Sequence, residues 1–210
     1  SSAGGETWTA GAALTVNGVL TVDSGTTLDL AGQDLTVGTS VSNEGTIIAT
    51  SASVVTIAGQ TGQSITAFDS DSGEVQLTTG SAAPKFGSEY WDLTIGDGAF
   101  PPDTWGMTAP LFVNRDLTLR DWGQLDANGH TVTIGGDYAK IGANGGFLSD
   151  GNTTRFTGEN DTVAPVTIAT GGTGDAQDFD NLTFDDSGGG ITFQLTGNLD
   201  VNRTLTVASG

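Results

Sequence analysis

The sequence predicts an all-β chain wound into a right-handed parallel β-helix, a β-solenoid with about 20 residues per coil. Three observations lead there. The 210 residues include 33 Gly and, counted along the chain, 33 Thr, with 36% hydrophobic and only 15% charged residues. β-Branched side chains suit a pleated surface, Gly suits the turns between strands, and a disordered acidic chain would lack this apolar content. Second, short apolar–polar–apolar tripeptides recur from one end to the other. Third, they return at a nearly constant spacing.

The elements follow in order. Leu14-Thr15-Val16, Leu20-Thr21-Val22, Leu28-Asp29-Leu30 and Leu35-Thr36-Val37 open the series. Val55-Thr56-Ile57, Val75-Gln76-Leu77, Leu93-Thr94-Ile95, Leu117-Thr118-Leu119 and Val132-Thr133-Ile134 continue it. Val166-Thr167-Ile168, Leu182-Thr183-Phe184, Ile191-Thr192-Phe193, Leu199-Asp200-Val201 and Leu205-Thr206-Val207 complete it. Side chains alternate across a strand, so the outer two residues of each tripeptide face inward and the middle one outward. Leu28, Leu35, Leu117, Leu125 and Leu205 are expected to be buried, and Thr21, Thr36, Thr118 and Thr206 more exposed. Asn17-Gly18, Ser24-Gly25 and Asn128-Gly129 supply turns between strands. No stretch keeps a 3.6-residue period, so no long helix is expected.

The spacing decides the architecture. From Leu14 to Leu35 is 21 residues, from Leu35 to Val55 is 20, and from Val55 to Val75 is 20. Three short strands per interval of that length fit one coil of a three-sided β-helix, with Leu14–Val16 pairing in parallel with Leu35–Val37. Ten such coils, at about 4.8 Å each, would make a rod roughly 50 Å long. The alternative is a tandem of β-sandwich domains, because a longer repeat in the chain has the length of an immunoglobulin-like sandwich.

That longer repeat is ungapped over about 30 residues. Thr7-Trp8, Leu14-Thr15-Val16-Asn17 and Leu20-Thr21-Val22 recur as Thr104-Trp105, Leu111-Phe112-Val113-Asn114 and Leu117-Thr118-Leu119, at an offset of 97. A third copy follows at offset 88, where Leu199-Asp200-Val201-Asn202 and Leu205-Thr206-Val207 repeat Leu111 to Leu119. Tyr90-Trp91-Asp92-Leu93-Thr94-Ile95 matches Phe179-Asp180-Asn181-Leu182-Thr183-Phe184 at offset 89, and Val75–Gly80 matches Val166–Gly171 at offset 91. The organisation is one continuous solenoid over residues 1–210, with repeat 1 at about 1–89, repeat 2 at about 90–178 and a partial repeat 3 at about 179–210. Trp8, Trp105 and Phe193 take corresponding positions, either bracing the core once per repeat or forming an aromatic strip for stacking on sugars.

The run F-x-N-L-T-[IF], then L-x-V-N-x-x-L-T-[VL], then L-D-x-x-G-x-x-[LV]-T-[VI]-G resembles a repeat of very large secreted and cell-surface proteins of prokaryotes. Residues 39–74 and 136–165 fit it loosely. The resemblance implies an extracellular repetitive structural protein with a β-solenoid fold, and it carries over no catalytic residue.

Charge and composition narrow the function. Six Lys and Arg stand against 25 Asp and Glu, a formal charge of −19, and no Lys or Arg precedes Lys85. A nucleic-acid partner needs a cationic surface that this chain lacks. An anionic membrane surface is disfavoured for the same reason, and no apolar run is long enough to span a bilayer. Without Cys and with a single His, His130, thiolate metal sites, Cys nucleophiles and His clusters are unavailable. The expectation is a non-enzyme, with no catalytic residue, no cofactor-binding residue and no cofactor beyond possible calcium. A polysaccharide-active enzyme is the weakest reading, because acidic residues are spread along the chain rather than clustered.

One metal candidate stands out. Asp69-Ser70-Asp71-Ser72-Gly73-Glu74 places oxygen ligands at alternate positions with a Gly for a sharp turn, so Asp69, Asp71 and Glu74 form a candidate calcium loop. The alternative is a solvated acidic turn. Expected partners are copies of the chain placed head-to-tail or further repeats of the same chain, with glycans as a possible second class. The expected location is extracellular or cell-surface, and the alternative function is an adhesin module that binds polysaccharide.

Overall fold

A computed structural model describes residues 5–50, 52–58, 64–65, 68–69, 73–78, 89–99, 103–161, 163–171 and 179–209. The chain is a parallel β-solenoid of about eight turns with roughly 21 residues per turn. All strand pairings among the described residues are parallel, and Leu14–Val16 pairs with Leu35–Val37 in register, Leu14 opposite Leu35. An antiparallel sandwich would have paired neighbouring tripeptides instead.

One side of the rod is a nine-stranded sheet. Its strands are Leu14–Val16, Leu35–Val37, Val54–Ile57, Glu74–Leu77, Asp92–Ile95, Leu117–Leu119, Tyr138–Lys140, Val166–Ala169 and Phe193–Leu195. Eight steps at about 4.8 Å give an axial length near 38 Å, shorter than ten coils would give. The later coils are wider, so fewer of them fit in the chain. A second side starts as a four-stranded sheet (Glu6–Thr9, Thr26–Asp29, Thr46–Ile48, Phe68–Asp69). It continues as a six-stranded sheet (Glu89–Tyr90, Leu111–Val113, Val132–Ile134, Thr153–Phe156, Phe179–Asp186, Val201–Ser209). Both precede the nine-stranded sheet in their turns, and Phe68–Asp69 contacts Glu89–Tyr90. The third side holds two three-stranded sheets, Val19–Val22 with Ser40–Asn43 and Ser64–Ile65, then Asp103–Gly106 with Gly123–Asp126 and Gly146–Leu148.

Alternation sets the core. Leu35 and Val37, Val55 and Ile57, Val75 and Leu77, and Leu93 and Ile95 are all fully buried, stacked rung on rung. Thr21 and Thr36 are exposed and Thr118 is half-buried, as outward positions should be. Leu35, Leu117 and Leu125 are buried as expected. Leu28 is only half-buried, and Leu205 is 52% exposed. Both differences have one cause. Leu28 lies one rung from the first strand of its sheet, and Leu205 lies on the last, where the described coil places nothing over the inward face.

Coil width changes along the rod and the core changes with it. Register partners on the nine-stranded sheet are 21, 20, 20 and 18 residues apart from Leu14 to Leu93. From Tyr138 to Ile168 the step is 30, and from Ile168 to Leu195 it is 27. The early core is aliphatic. The late core is aromatic: Tyr138 meets Phe156 and Phe179 edge-on with centroids 6.1 and 5.7 Å apart, and Phe184 meets Phe193 at 5.2 Å. The rings fill the interior of these later turns with apolar volume and meet one another at edge-on or tilted angles. The long coil also contains the break in the inward column at Lys140, which pairs with Leu119 yet is 5% exposed. Its Nζ donates to the carbonyls of Ile141, Gly142 and Asn144, the last two at 2.9 Å.

The 97-residue repeat is out of step with the coil. Leu14–Val16 belongs to the nine-stranded sheet, whereas its counterpart Leu111–Val113 belongs to the six-stranded one. Trp8 and Trp105 likewise lie on different sides, and Phe193 lies on the remaining one. The shift is not uniform: Val75 and its counterpart Val166 share the nine-stranded sheet, and Leu111–Val113 and its third-copy counterpart Val201 share the six-stranded one.

Candidate functional site

Two features of the described residues bear on function: the core columns left exposed at either end of the described rod, and the acidic corner where the chain enters the nine-stranded sheet. The ends follow from the core. At the N-terminal end Trp8, opposite Leu28, is 64% exposed, and Trp8, Leu20, Val22 and Leu28 line an apolar hollow of about 200 Å³. At the other end Leu195, Leu205 and Val207 are exposed, although their rung partners Ile168, Leu182 and Phe184 are buried. The strands Glu6–Thr9 and Val201–Ser209 each pair on one side only among the described residues, leaving a free edge of backbone N–H and C=O groups.

The corner is built from aspartates that directly precede the inward residue of a strand. Asp34 Oδ1 accepts the Val54 N–H at 3.0 Å, Asp92 Oδ1 accepts Asp116 N–H at 3.1 Å, and Asp116 Oδ1 accepts Asp137 N–H at 2.8 Å. Asp137 Oδ1 accepts the Thr167 N–H. Each carboxylate thus takes a backbone donor from the next turn, at a point where the chain bends and the ladder cannot. Arg115 lies across this column. Its Nε donates to Asp92 Oδ1 at 2.7 Å, its Nη2 pairs with Asp92, and its Nε lies 3.3 Å from Asp116 Oδ2. The hydrogen bond to Asp92 holds the Arg115 guanidinium above its ordinary pKa. Burial raises the Asp116 carboxyl, and the Asp137 N–H only partly opposes that. These groups satisfy one another, which is the arrangement of a structural brace.

The calcium candidate is only partly visible. Asp71 and the side chain of Asp69 lie outside the described residues. The Glu74 carboxylate accepts hydrogen bonds from Gln76 Nε2 at 2.9 Å and Thr94 Oγ1 at 2.8 Å. Among the described residues no group of three or more His, Asp or Glu side chains converges on one point. His130 closes a turn, with its N–H donating to the Ala127 carbonyl.

An aromatic strip is not what the three ring positions form. Trp105 is 1% exposed, and the three rings occupy three sides of the rod. Trp105 and Phe193 brace the core.

The corner column escaped sequence reasoning, although Asp34-Leu35, Asp92-Leu93, Asp116-Leu117 and Asp137-Tyr138 carried its signal, an acid placed directly before an inward residue. No protein-family model, characterised protein or solved structure matches the chain.

Proposed function

We propose that the chain is a structural module of an extracellular fibre, filament or surface stalk, in which both open ends are covered by further turns of the same kind. Those turns come from copies placed head-to-tail or from further repeats of the same chain. The observation that carries the reading is the exposure of core columns at both ends: Trp8 at one, Leu205 and Val207 at the other. Stacking one rung on the next buries those side chains and completes the backbone ladder, with apolar contact supplying most of the stability and hydrogen bonds the direction. The contact is heterologous, so it propagates along the axis instead of closing. The charge of −19 and the outward Thr residues keep the flanks soluble. An extracellular setting is supported by the resemblance to repeats of large secreted proteins.

Sedimentation of the 210-residue chain tests this. End-to-end species should grow with concentration, and Leu205→Asp should shift the distribution back to monomer. A chain that stays monomeric at high micromolar concentration, and whose gene encodes no further repeat, overturns the reading.

A further inference from the structure

A groove on the flank of the rod carries a second inference, independent of whether the ends are extended. On the outer surface of the six-stranded sheet, Phe112, Thr133 and Arg155 stand in one column, in register from turn to turn. Beside them Asn114, Glu159 and Asn160 complete a hollow of about 190 Å³. Phe112 is 44% exposed at a position that holds Thr15 in the first repeat and Asp200 in the third. An outward Phe in place of a polar residue adds nothing to the core, so the packing of the rod does not account for it. The far wall lies in 136–165, one of the two stretches that fit the repeat pattern loosely.

The groove is held in shape. Arg155 Nε donates to Asp185 Oδ2 of the next turn at 2.8 Å, which fixes the guanidinium and offsets its charge. Asn160 N–H donates to the Gly135 carbonyl at 3.3 Å, tying the wall to the neighbouring turn. Gly158 turns the chain into that wall at φ +65°, and a Cβ there would come within 2.7 Å of the Ile191 side chain. Asn114 Nδ2 donates to Glu89 Oε1 at 2.8 Å, which positions the near wall. A site ordered before its ligand arrives loses less entropy on binding.

We infer that this groove binds one ring of a neutral polysaccharide. The flat apolar face of a pyranose stacks on an exposed aromatic ring. The ring's hydroxyls both donate and accept, which matches a rim of Arg, Glu, Asn and Thr side chains. Polyanions are disfavoured by the field of a chain carrying −19 and by the pairing of Arg155 with Asp185.

The test is a titration of the ¹⁵N-labelled chain, followed by amide shifts, with neutral gluco-, manno- and galacto-oligosaccharides and with an oligogalacturonate as the anionic arm. Shifts should cluster at residues 112–114, 133–135 and 155–160 with a neutral sugar. Phe112→Ala should weaken that binding at least about tenfold, and Asn160→Ala should weaken it too. Phe112→Thr restores the first repeat's residue and should lose binding while leaving the unfolding midpoint in place. The inference is overturned by an absence of shifts with every neutral sugar at about 10 mM, by shifts that survive Phe112→Ala, or by tighter binding of the oligogalacturonate.

Discussion

Leu111–Leu119 and Leu199–Val207 are two copies of one motif, identical at six of nine positions, and they fold differently. The first turns a corner: Leu111–Val113 lies on the six-stranded sheet and Leu117–Leu119 on the nine-stranded one. The second lies within Val201–Ser209 on the six-stranded sheet alone, with a register shift between Val201 and Thr204 in place of a corner. The preceding motif behaves in the same way. Glu89–Tyr90 and Asp92–Ile95 are on two sheets, whereas Phe179–Asp186 is a single strand. The residues that differ explain it. Asp92 and Asp116 take backbone donors at the bend, and their counterparts are Asn181 and Thr204. Gly96 leaves the first copy at φ +92°, where a Cβ would sit 2.6 Å from the Gly123 Cα, and its counterpart is Asp185, which continues the strand. A local sequence of apolar and polar residues specifies a strand, while a few hydrogen-bonding acids and one glycine specify where it bends.

The same pair of copies separates intrinsic pattern from neighbourhood. Leu117 is 1% exposed and Leu205 is 52% exposed, at the same place in the motif. Leu117→Ala should therefore cost about 2–5 kcal/mol in denaturant unfolding. Leu205→Ala should cost about 0.5 kcal/mol or less in the monomer. Equal losses at the two sites would show that the end is already covered, and would break the comparison.

The corner gives the next largest effect. Asp116→Thr imports the second copy's residue, removes the acceptor for the Asp137 N–H and leaves Arg115 with Asp92 alone. A loss of about 1–3 kcal/mol is expected. The reverse change, Thr204→Asp, sits at an exposed position on the last strand of its sheet and should stay within about 0.5 kcal/mol. If both changes are neutral, the acids do not hold the bend.

The smallest effect is a pH dependence. Burial holds the folded-state pKa of Asp116 above its ordinary value of 3.8. The folded state therefore binds this proton more tightly than the unfolded chain does. Asp116 contributes stability that is fully present below the ordinary pKa and lost as pH rises through the raised one. Asp116→Asn keeps an acceptor oxygen and removes the titration, so the variant should lack this fall in stability over the range just above pH 3.8. Unfolding curves of both proteins across that range check the sign, and a variant that follows the parent throughout would show that Asp116 is not the group responsible.

Much of the fold was legible because the tripeptides carry both alternation and spacing. Val55-Thr56-Ile57 reads as two inward residues around an outward one, and the 20-residue return of Val75 places the next rung. The corner was less legible because its hydrogen bonds join residues 20 to 30 positions apart, and nothing in Asp116 alone shows that it will meet the Asp137 N–H. Burial at the ends was misjudged at Leu205 because alternation tells which way a side chain points and not whether anything lies above it. The groove was missed because Phe112 reads as one more apolar residue until the register places it outward, beside Arg155.

The mismatch between repeat and coil has a geometric outcome. Trp8, Trp105 and Phe193 step round the three sides in turn, so these three ring positions trace a screw along the rod instead of a straight line. The first step covers four and two-thirds turns and the second three and two-thirds, an advance of about 18–22 Å each. In an array that kept the phase of these rings, an outward feature in step with them would return to the same azimuth only every third copy, after roughly 60 Å. A flat surface lying along such an array would meet one copy in three, and ligands approaching from three directions 120° apart would each find their own set. Avidity against a flat target would then depend on every third copy, while a wrapping polymer could engage them all.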